Sequence, residues 1–148
     1  MPTPEETQMA LNYELAVYRE QIAMIRRETE RVSLTTLDLA NALKTVENMG
    51  SESILIPIGG GALVKGAISE TKILMPVGAE YLVEMDKQQT VEEIRKRIDA
   101  TRKAVERLNE EFTKVTARVQ ELSTQLQRMQ VQNRLNEQVD SNIREDYV

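Results

Sequence analysis

Two features of the sequence resemble parts of active sites, a run of glycines and pairs of adjacent carboxylates. The glycines at 59–61 would suit a phosphate loop only if Gly-Lys-Ser/Thr followed at the start of a helix. Residues 62–65, Ala-Leu-Val-Lys, continue as a β-prone run instead, which predicts a turn between strands. Glu92 and Glu93 lie side by side on a predicted helix, where neighbouring side chains diverge by about 100° and do not meet at one substrate. Neither feature predicts catalysis.

The chain contains neither histidine nor cysteine. Histidine is the commonest metal ligand and a frequent general base, and cysteine supplies thiolate ligands and nucleophiles. The composition therefore predicts no enzyme, no metal site and no cofactor. The absence of cysteine fits a reducing, cytoplasmic compartment. No apolar run approaches the roughly 18 residues of a membrane span, and the N-terminus lacks the features of a signal peptide, so we expect no contact with a membrane.

The basic residues do not predict a nucleic-acid partner. The clusters at 95–97 and 102–103 are interleaved with acids such as Asp99 and Glu106, and they lie inside a heptad pattern. A leucine-zipper regulator has an uninterrupted basic block ahead of its heptads. The net charge of −5 also disfavours a polyanion as the main partner.

The elements that carry these residues are two long predicted helices. In the first, 5–49, Thr3 is the expected N-cap and Gly50 the expected stop. Its apolar seam steps by four and three through Leu11, Leu15, Tyr18, Ile22, Ile25, Thr29, Val32, Thr36, Leu39, Leu43 and Val46. Thr29 and Thr36 interrupt the seam, either to fix its register or as tolerated small polar residues.

The second predicted helix, 90–140, repeats the heptad pattern. Thr90 is the expected N-cap, and Glu93 completes a capping box. The seam runs through Val91, Ile94, Ile98, Thr101, Val105, Leu108, Phe112, Val115, Val119, Leu122, Leu126 and Met129. Beyond Met129 the heptad register ends, and the apolar residues that follow no longer occupy seam positions.

The segment 53–86 changes character and predicts four strands at 53–58, 62–69, 72–77 and 80–86. Turns are expected at 59–61, 70–71 and 78–79, which gives two successive β-hairpins. Residues 54–59, Ile-Leu-Ile-Pro-Ile-Gly, and 73–78, Ile-Leu-Met-Pro-Val-Gly, indicate a short internal repeat. The prediction is one unit, 1–148, of mainly α class: a long antiparallel coiled-coil hairpin joined by two β-hairpins.

This organisation resembles the alpha class of the prefoldin family. The resemblance rests on residues 56–66, Ile-Pro-Ile-Gly-Gly-Gly-Ala-Leu-Val-Lys-Gly, and on residues 77–84, Val-Gly-Ala-Glu-Tyr-Leu-Val-Glu. In the second stretch the family usually has glycine where this chain has Glu80. Two hairpins distinguish the alpha class from the single-hairpin beta class.

The resemblance implies an ATP-independent chaperone without cofactors. Two alpha and four beta subunits would join their hairpins into an intersubunit β-barrel, forming a hexamer. Coiled-coil tips would hold non-native polypeptides and deliver them to a cytosolic group II-type chaperonin. The alternative is a self-assembling prefoldin-like filament or a structural coiled-coil protein.

Two sets of residues are predicted to carry these functions. The predicted client-binding residues, near the helix ends, are Met9, Leu11, Tyr13, Leu15, Met129, Val131, Leu135 and Val139. For Leu11, Leu15 and Met129 the alternative is closure of the seam. The predicted oligomer interface comprises Ile54, Ile56, Val64, Ile68, Ile73, Met75, Leu82 and Met85. The alternative there is a private sheet that packs on the chain's own helices, which would leave its edges open.

Overall fold

The computed structural model describes residues 1–50, 52–70 and 72–145. The elements follow in the order α1 (Pro4–Glu47), β1 (Ser53–Gly59), β2 (Ala62–Ala67), β3 (Ile73–Gly78), β4 (Tyr81–Met85) and α2 (Lys87–Glu145). The predicted class, two long helices with two small antiparallel hairpins between them, is confirmed. The chain divides into two compact units. The first holds Met1–Glu30 and the chain from Glu106 onward, and the second holds Arg31–Val105.

The start of α1 confirms the predicted cap. The backbone N–H of Glu6 donates to Thr3 Oγ1 at 3.2 Å, and the N–H of Thr3 donates to Glu6 Oε2 at 2.7 Å. This reciprocal pair is a capping box, which satisfies amides that have no partner inside the helix. At the other end α1 stops at Glu47, before the predicted Gly50, where the Asn48 side chain donates to the Lys44 carbonyl at 2.7 Å.

The predicted cap of α2 is wrong by four residues. The helix begins at Lys87, and Asp86 Oδ1 accepts from the N–H of Gln89 at 2.7 Å while Gln89 Oε1 accepts from the N–H of Asp86 at 3.2 Å. The capping box is therefore Asp86 with Gln89. Thr90 is buried inside the first turn, and its hydroxyl donates to the Asp86 carbonyl at 2.8 Å.

In the first unit the helices pair antiparallel through the predicted seam. Leu15, Ile25, Val115 and Leu122 are buried there, and all four are seam positions. Beside the seam, Gln21 Nε2 donates to Glu111 Oε1 at 3.3 Å. The Arg26 guanidinium lies over the Phe112 ring, 5.4 Å from its centroid, in cation–π geometry.

In the second unit the same seam contains a polar layer. The hydroxyls of Thr36 and Thr101 lie 2.8 Å apart across the helix pair. The carbonyls of Val32 and Ile98 lie 3.0 and 2.9 Å from these two hydroxyls, respectively. The layer is thus hydrogen-bonded rather than an unsatisfied intrusion, as buried polar groups require.

The two hairpins share one backbone design. In the first hairpin (β1–β2) the register shifts between Pro57 and Gly59, and in the second (β3–β4) it shifts between Pro76 and Gly78. Each then closes through two residues of positive φ, Gly60 and Gly61 in the first, and Ala79 (49°) and Glu80 (64°) in the second. The internal repeat seen in the sequence is therefore a structural repeat.

Several strand limits differ from prediction by one or two residues. β2 ends at Ala67 and β4 spans only Tyr81–Met85, because Glu80 belongs to the turn. The predicted turn at 70–71 falls partly on Thr71, which lies outside the described residues.

Candidate assembly and client-binding surfaces

Both faces of the first hairpin are apolar and exposed. In its register Ile54 and Ile56 lie on one face with Val64, which pairs with Ile56, whereas Leu55 and Leu63 lie on the other. All residues of β1 are exposed, and in β2 only Gly66 is half-buried. A Cβ added to Gly66 would lie 2.8 Å from Ile56 Cδ1, so the Ile56 side chain crosses that glycine. Three predicted interface residues are therefore accessible to another chain.

The second hairpin has one covered face. Met75, 8% exposed, packs in a core with Val46, Ile94 and Ile98 from the two helices. Ile73 and Met85 are half-buried against the same core. The structure thus places three predicted interface residues on the chain's own helices, as the private-sheet alternative required of this hairpin.

The opposite face of the second hairpin is exposed. Leu82 pairs with Pro76, and Leu74 with Glu84, on the face that points away from Met75. Leu82 and Met85, both predicted for the oligomer interface, consequently lie on opposite faces of β4. Their spacing of three residues already implied this, because strand side chains alternate. The last predicted interface residue, Ile68, is half-buried just beyond β2.

Sequence reasoning left out seven exposed apolar residues of the hairpins, which are Leu55, Ile58, Leu63, Leu74, Val77, Tyr81 and Val83. Leu55, Leu63 and Leu74 are each more than half exposed. The signal was available, because the strands carry apolar side chains at both odd and even positions. Such continuous apolar runs are typical of strands that are buried on both faces.

Three basic side chains of α2 contact α1 or the second hairpin in the second unit. Lys87 Nζ donates to the carbonyl of Glu47 at 2.9 Å, and Arg95 pairs with the Glu47 carboxylate at 2.9 Å. Arg97 donates to the Pro76 carbonyl at 2.7 Å and pairs with Glu93 at 3.0 Å. The Lys87 contact places a cation at the C-terminal end of α1, where the helix dipole favours it. Two of the three basic residues at 95–97, Arg95 and Arg97, therefore make contacts within the chain.

The predicted client-binding residues fall into two groups in the first unit. Met9, Tyr13, Val131, Leu135 and Val139 are exposed, Tyr13 to 74%. Leu11 and Met129 are half-buried, and Leu15 is 6% exposed in the seam. Ile143, which was not predicted, is also exposed beyond Val139. The exposed residues of α2, which are Val131, Leu135, Val139 and Ile143, follow the point at which its heptad register ends.

An ion-pair network lies beside these residues. Arg118 donates to Glu14 Oε1 at 2.8 Å across the helix pair and to Glu121 Oε2 at 2.9 Å along α2. The hydrogen bond to Glu14, and then that to Glu121, raises the pKa of Arg118 further above its ordinary value. An arginine guanidinium is protonated throughout the ordinary pH range, so these hydrogen bonds join a permanent cation to two carboxylates.

The described residues lack two further features. No group of three acidic, histidine or cysteine side chains in this part of the chain could hold a metal ion. None of the described helices combines the length and the apolar character needed to cross a bilayer.

Comparison with known proteins places this arrangement in a family. The family model described as "Prefoldin subunit" matches residues 18–132. Prefoldin subunit alpha of Methanococcus aeolicus is 32% identical over 120 residues, which cover 80% of this chain and 78% of the relative. Prefoldin subunit alpha 1 of Methanocaldococcus jannaschii is 29% identical over 121 residues, covering 78% and 85%.

Solved structures show the same fold. A filamentous PFD from Methanocaldococcus jannaschii, known from cryo-electron microscopy, superposes with a TM-score of 0.65 at 22% identity, over 77% of this chain and 98% of the other. The crystal structure of the prefoldin beta subunit from Thermococcus strain KS-1 gives a TM-score of 0.59 at 17% identity, over 86% and 95%. At these identities the likeness establishes the fold only.

Proposed function

The chain belongs to the prefoldin family and is a chaperone subunit of the alpha type, and we propose that it holds non-native polypeptides only as part of an oligomer. The observation that carries the proposal is the first hairpin, apolar and exposed on both faces. A two-stranded hairpin is marginally stable in water, and its outer edges carry unpaired N–H and C=O groups. Both deficits are met when strands of other subunits pair with it.

The partners proposed for this hairpin are prefoldin beta subunits, two alpha with four beta. Strands of the neighbours would continue the sheet at the edges of β1 and β2, and Ile54, Ile56 and Val64 would line one side of the resulting barrel. Leu55, Leu63, Leu74 and Leu82 would supply further apolar contacts. Ile73, Met75 and Met85 act differently, because they fasten the second hairpin to the helices of its own subunit.

Client binding is proposed at the exposed residues near the start of α1 and the end of α2. Met9, Val131, Leu135 and Val139 offer apolar surface without a catalytic group. Methionine is unbranched and adapts to different partners, which suits a surface that must accept many sequences. Each contact is weak, but several arms on one client gain through effective concentration. The proposed fate of the client is transfer to a group II chaperonin.

The test is light scattering of a denatured, aggregation-prone protein diluted without ATP. We expect the chain with a beta-type partner to suppress scattering at near-stoichiometric ratios, and the chain without that partner to suppress it less. The variant Met9→Ser, Leu11→Ser, Val131→Ser, Leu135→Ser should lose suppression while the oligomer keeps its mass. Leu34→Ser with Leu37→Ser, which removes exposed leucines of the second unit, is the control and should retain it. Equal activity of the two variants would refute the client-binding surface.

The assembly proposal has a separate test by mass measurement. Val64→Asp places a charge on the open face of the first hairpin and should prevent assembly while leaving the helical content unchanged. Ile73→Asp places a charge against the chain's own core, so it should also lower the midpoint of unfolding measured by helical circular dichroism. Assembly of Val64→Asp with normal mass would refute this interface.

A filament is the second candidate function. The specific observation in its favour is that each sheet has two strands among the described residues, so its edges could pair with copies of the same chain. Electron microscopy of the purified chain distinguishes the two. Long polymers without any partner would support the filament, and a discrete particle that requires a beta-type partner would support the hexamer.

A further inference from the structure

Helix α1 has a second apolar face in the first unit, opposite the seam. We call it the outer stripe. It consists of Met9, Ala10, Tyr13, Ala16, Val17, Ala23 and Met24. All seven residues are exposed, and their spacing of three and four residues places them on one side of the helix. The seam of the same segment, with Leu15 and Ile25 buried, faces the other way.

Helix α2 has no such face. Between Lys87 and Gln130, all of which the structure describes, no large apolar side chain is exposed. The outward positions of α2 in the first unit are Glu106, Arg107, Glu110, Thr113, Lys114, Ala117, Gln120, Glu121 and Thr124. A coiled-coil hairpin needs one apolar face on each helix. The outer stripe is therefore surplus to the pairing of α1 with α2.

The alanines and methionines of the outer stripe recur when the helix direction is reversed. About a centre between Ala16 and Val17, Ala10 mirrors Ala23 and Met9 mirrors Met24. Further pairs are polar: Tyr13 mirrors Glu20, and at the two ends Glu6 mirrors Arg27. All of these residues are exposed on the same side of the helix.

We propose that a second copy of this chain docks on the outer stripe, with α1 packed antiparallel against α1. A two-fold contact requires a patch that is complementary to itself, so that residue i meets j and j meets i. The antiparallel arrangement supplies this complementarity. Alanines allow close approach of the two helices, and methionine covers methionine. The Tyr13 hydroxyl donates to the Glu20 carboxylate, and Glu6 pairs with Arg27 at both ends. A surface for irregular clients would need no such symmetry.

The contact is a weak one. The proposed contact, from Glu6 to Arg27, is about 32 Å long at 1.5 Å per residue, and only one helix face from each copy takes part. A contact of this length along one helix face buries less surface than the roughly 1,600 Å² of stable complexes. We therefore expect reversible association at high local concentration rather than a permanent dimer.

The absence of cysteine makes disulfide trapping a direct test. Ala10→Cys and Ala23→Cys are purified as full-length chains and oxidised separately and as a mixture. In the antiparallel pair, position 10 of one copy faces position 23 of the other. Position 10 lies about 20 Å along the helix axis from position 10 of the other copy, and the same holds for position 23. A disulfide needs Cα atoms within about 7 Å, so only the mixed pair can form one. The mixture should give the mixed dimer, and either variant by itself should not. Ala117→Cys, an exposed alanine on the polar face of α2, is the matched control.

Charge reversal supplies the second readout. Glu6→Arg or Arg27→Glu, introduced into both cysteine variants, should slow trapping about tenfold, and the double reversal should restore it. Glu6 also caps α1, so Glu6→Arg weakens that cap. The double variant keeps the weakened cap, and its recovery would therefore come from the pair with Arg27.

Other outcomes overturn the proposal. Trapping of Ala10→Cys with itself would indicate a parallel contact, and a mixture no faster than Ala117→Cys would show that the stripe takes no second copy. If the double reversal did not restore the rate of disulfide trapping, the two-fold pairing of Glu6 with Arg27 would be refuted. Neither a client nor a beta-type partner is present in this experiment, so its result is independent of the proposed chaperone function.

Discussion

The two hairpins of the second unit have one backbone and two different environments. Pro57 corresponds to Pro76, and each hairpin has a bulge and a two-residue turn of positive φ after that proline. Ile56 of the first hairpin corresponds to Met75 of the second. Ile56 is 43% exposed, whereas Met75 is buried on the helices. The same structural unit is thus anchored in one copy and left open in the other.

This difference separates two tasks within one repeat. The second hairpin, fixed by Met75 and Arg97, has a set position on the helices of its own subunit. The first hairpin presents apolar faces and unpaired edges, which are costly in water unless another chain covers them. A subunit built in this way offers a partner one open hairpin beside one that is already anchored.

The largest expected effect comes from truncating the corresponding pair Met75 and Ile56. Met75→Ala should lower the free energy of unfolding by about 2–4 kcal/mol, because it leaves a cavity in the core with Val46 and Ile98. Ile56→Ala should cost less than about 1 kcal/mol in the same chain, because its side chain is already partly in water. Urea unfolding followed by helical circular dichroism, at equal protein concentrations, measures both. Equal losses would mean that the hairpins do not differ in their attachment.

How much of this contrast was predictable depends on the residue. The heptads located both helices, and the repeat at 54–59 and 73–78 located both hairpins. The different environments of Ile56 and Met75 were not predictable, because both are apolar residues at the same place in the repeat. Which hairpin meets the helices depends on chain geometry and on the Arg97 contact with Pro76, a long-range feature that local patterns do not contain.

Other predictions failed although the sequence contained a local signal, because a competing pattern was equally good. Thr90 with Glu93 satisfied the capping-box rule, but so did Asp86 with Gln89, and tertiary packing buried Thr90. The client-binding set shows the same limit. The end of the register at Met129 predicted exposed side chains beyond it, whereas sequence left open the place of Leu15, which the structure buries in the seam.

The next effect concerns the contact that anchors the second hairpin. Arg97→Met removes the hydrogen bond to the Pro76 carbonyl and the pair with Glu93, and it should destabilise the hairpin by about 1–2 kcal/mol. The expected loss is modest because about a third of the Arg97 side chain is exposed to solvent, which screens its charge. Hydrogen exchange should accelerate for amides of β3 and β4 and stay unchanged in β1 and β2.

Arg95→Met is the control for that experiment. Arg95 pairs with the Glu47 carboxylate and has no hydrogen bond to a hairpin among the described contacts. Its loss should leave exchange in β3 and β4 at the original rate. If Arg95→Met and Arg97→Met had the same effect, a general loss of positive charge would explain both, and the anchoring contact would not.

A smaller effect is expected at the turns, where the two hairpins differ in side chains but not in backbone. Glu80 has φ of 64°, a conformation that costs an L-residue about 1–2 kcal/mol, and the corresponding residue of the first hairpin is Gly61. Glu80→Gly should stabilise the second hairpin by about 0.5–1 kcal/mol, since the greater freedom of unfolded glycine offsets part of the gain. Gly61→Glu should destabilise the first hairpin by a similar amount. Hydrogen exchange, hairpin by hairpin, measures both changes, and two changes of the same sign would contradict the shared turn geometry.

The smallest effect is expected from the cross-strand ion pair of the second hairpin. Lys72 Nζ lies 3.6 Å from Glu84 Oε2, and the corresponding residues of the first hairpin, Ser53 and Lys65, cannot form this pair. Both charged side chains are more than 60% exposed, and such pairs contribute little in water, so Lys72→Gln should change unfolding by less than about 0.5 kcal/mol. Screening of this pair by 1 M salt should likewise change the free energy of unfolding of the original chain very little. A loss above about 1 kcal/mol would mean that surface charge, and not the buried Met75 face, distinguishes the anchored hairpin from the open one.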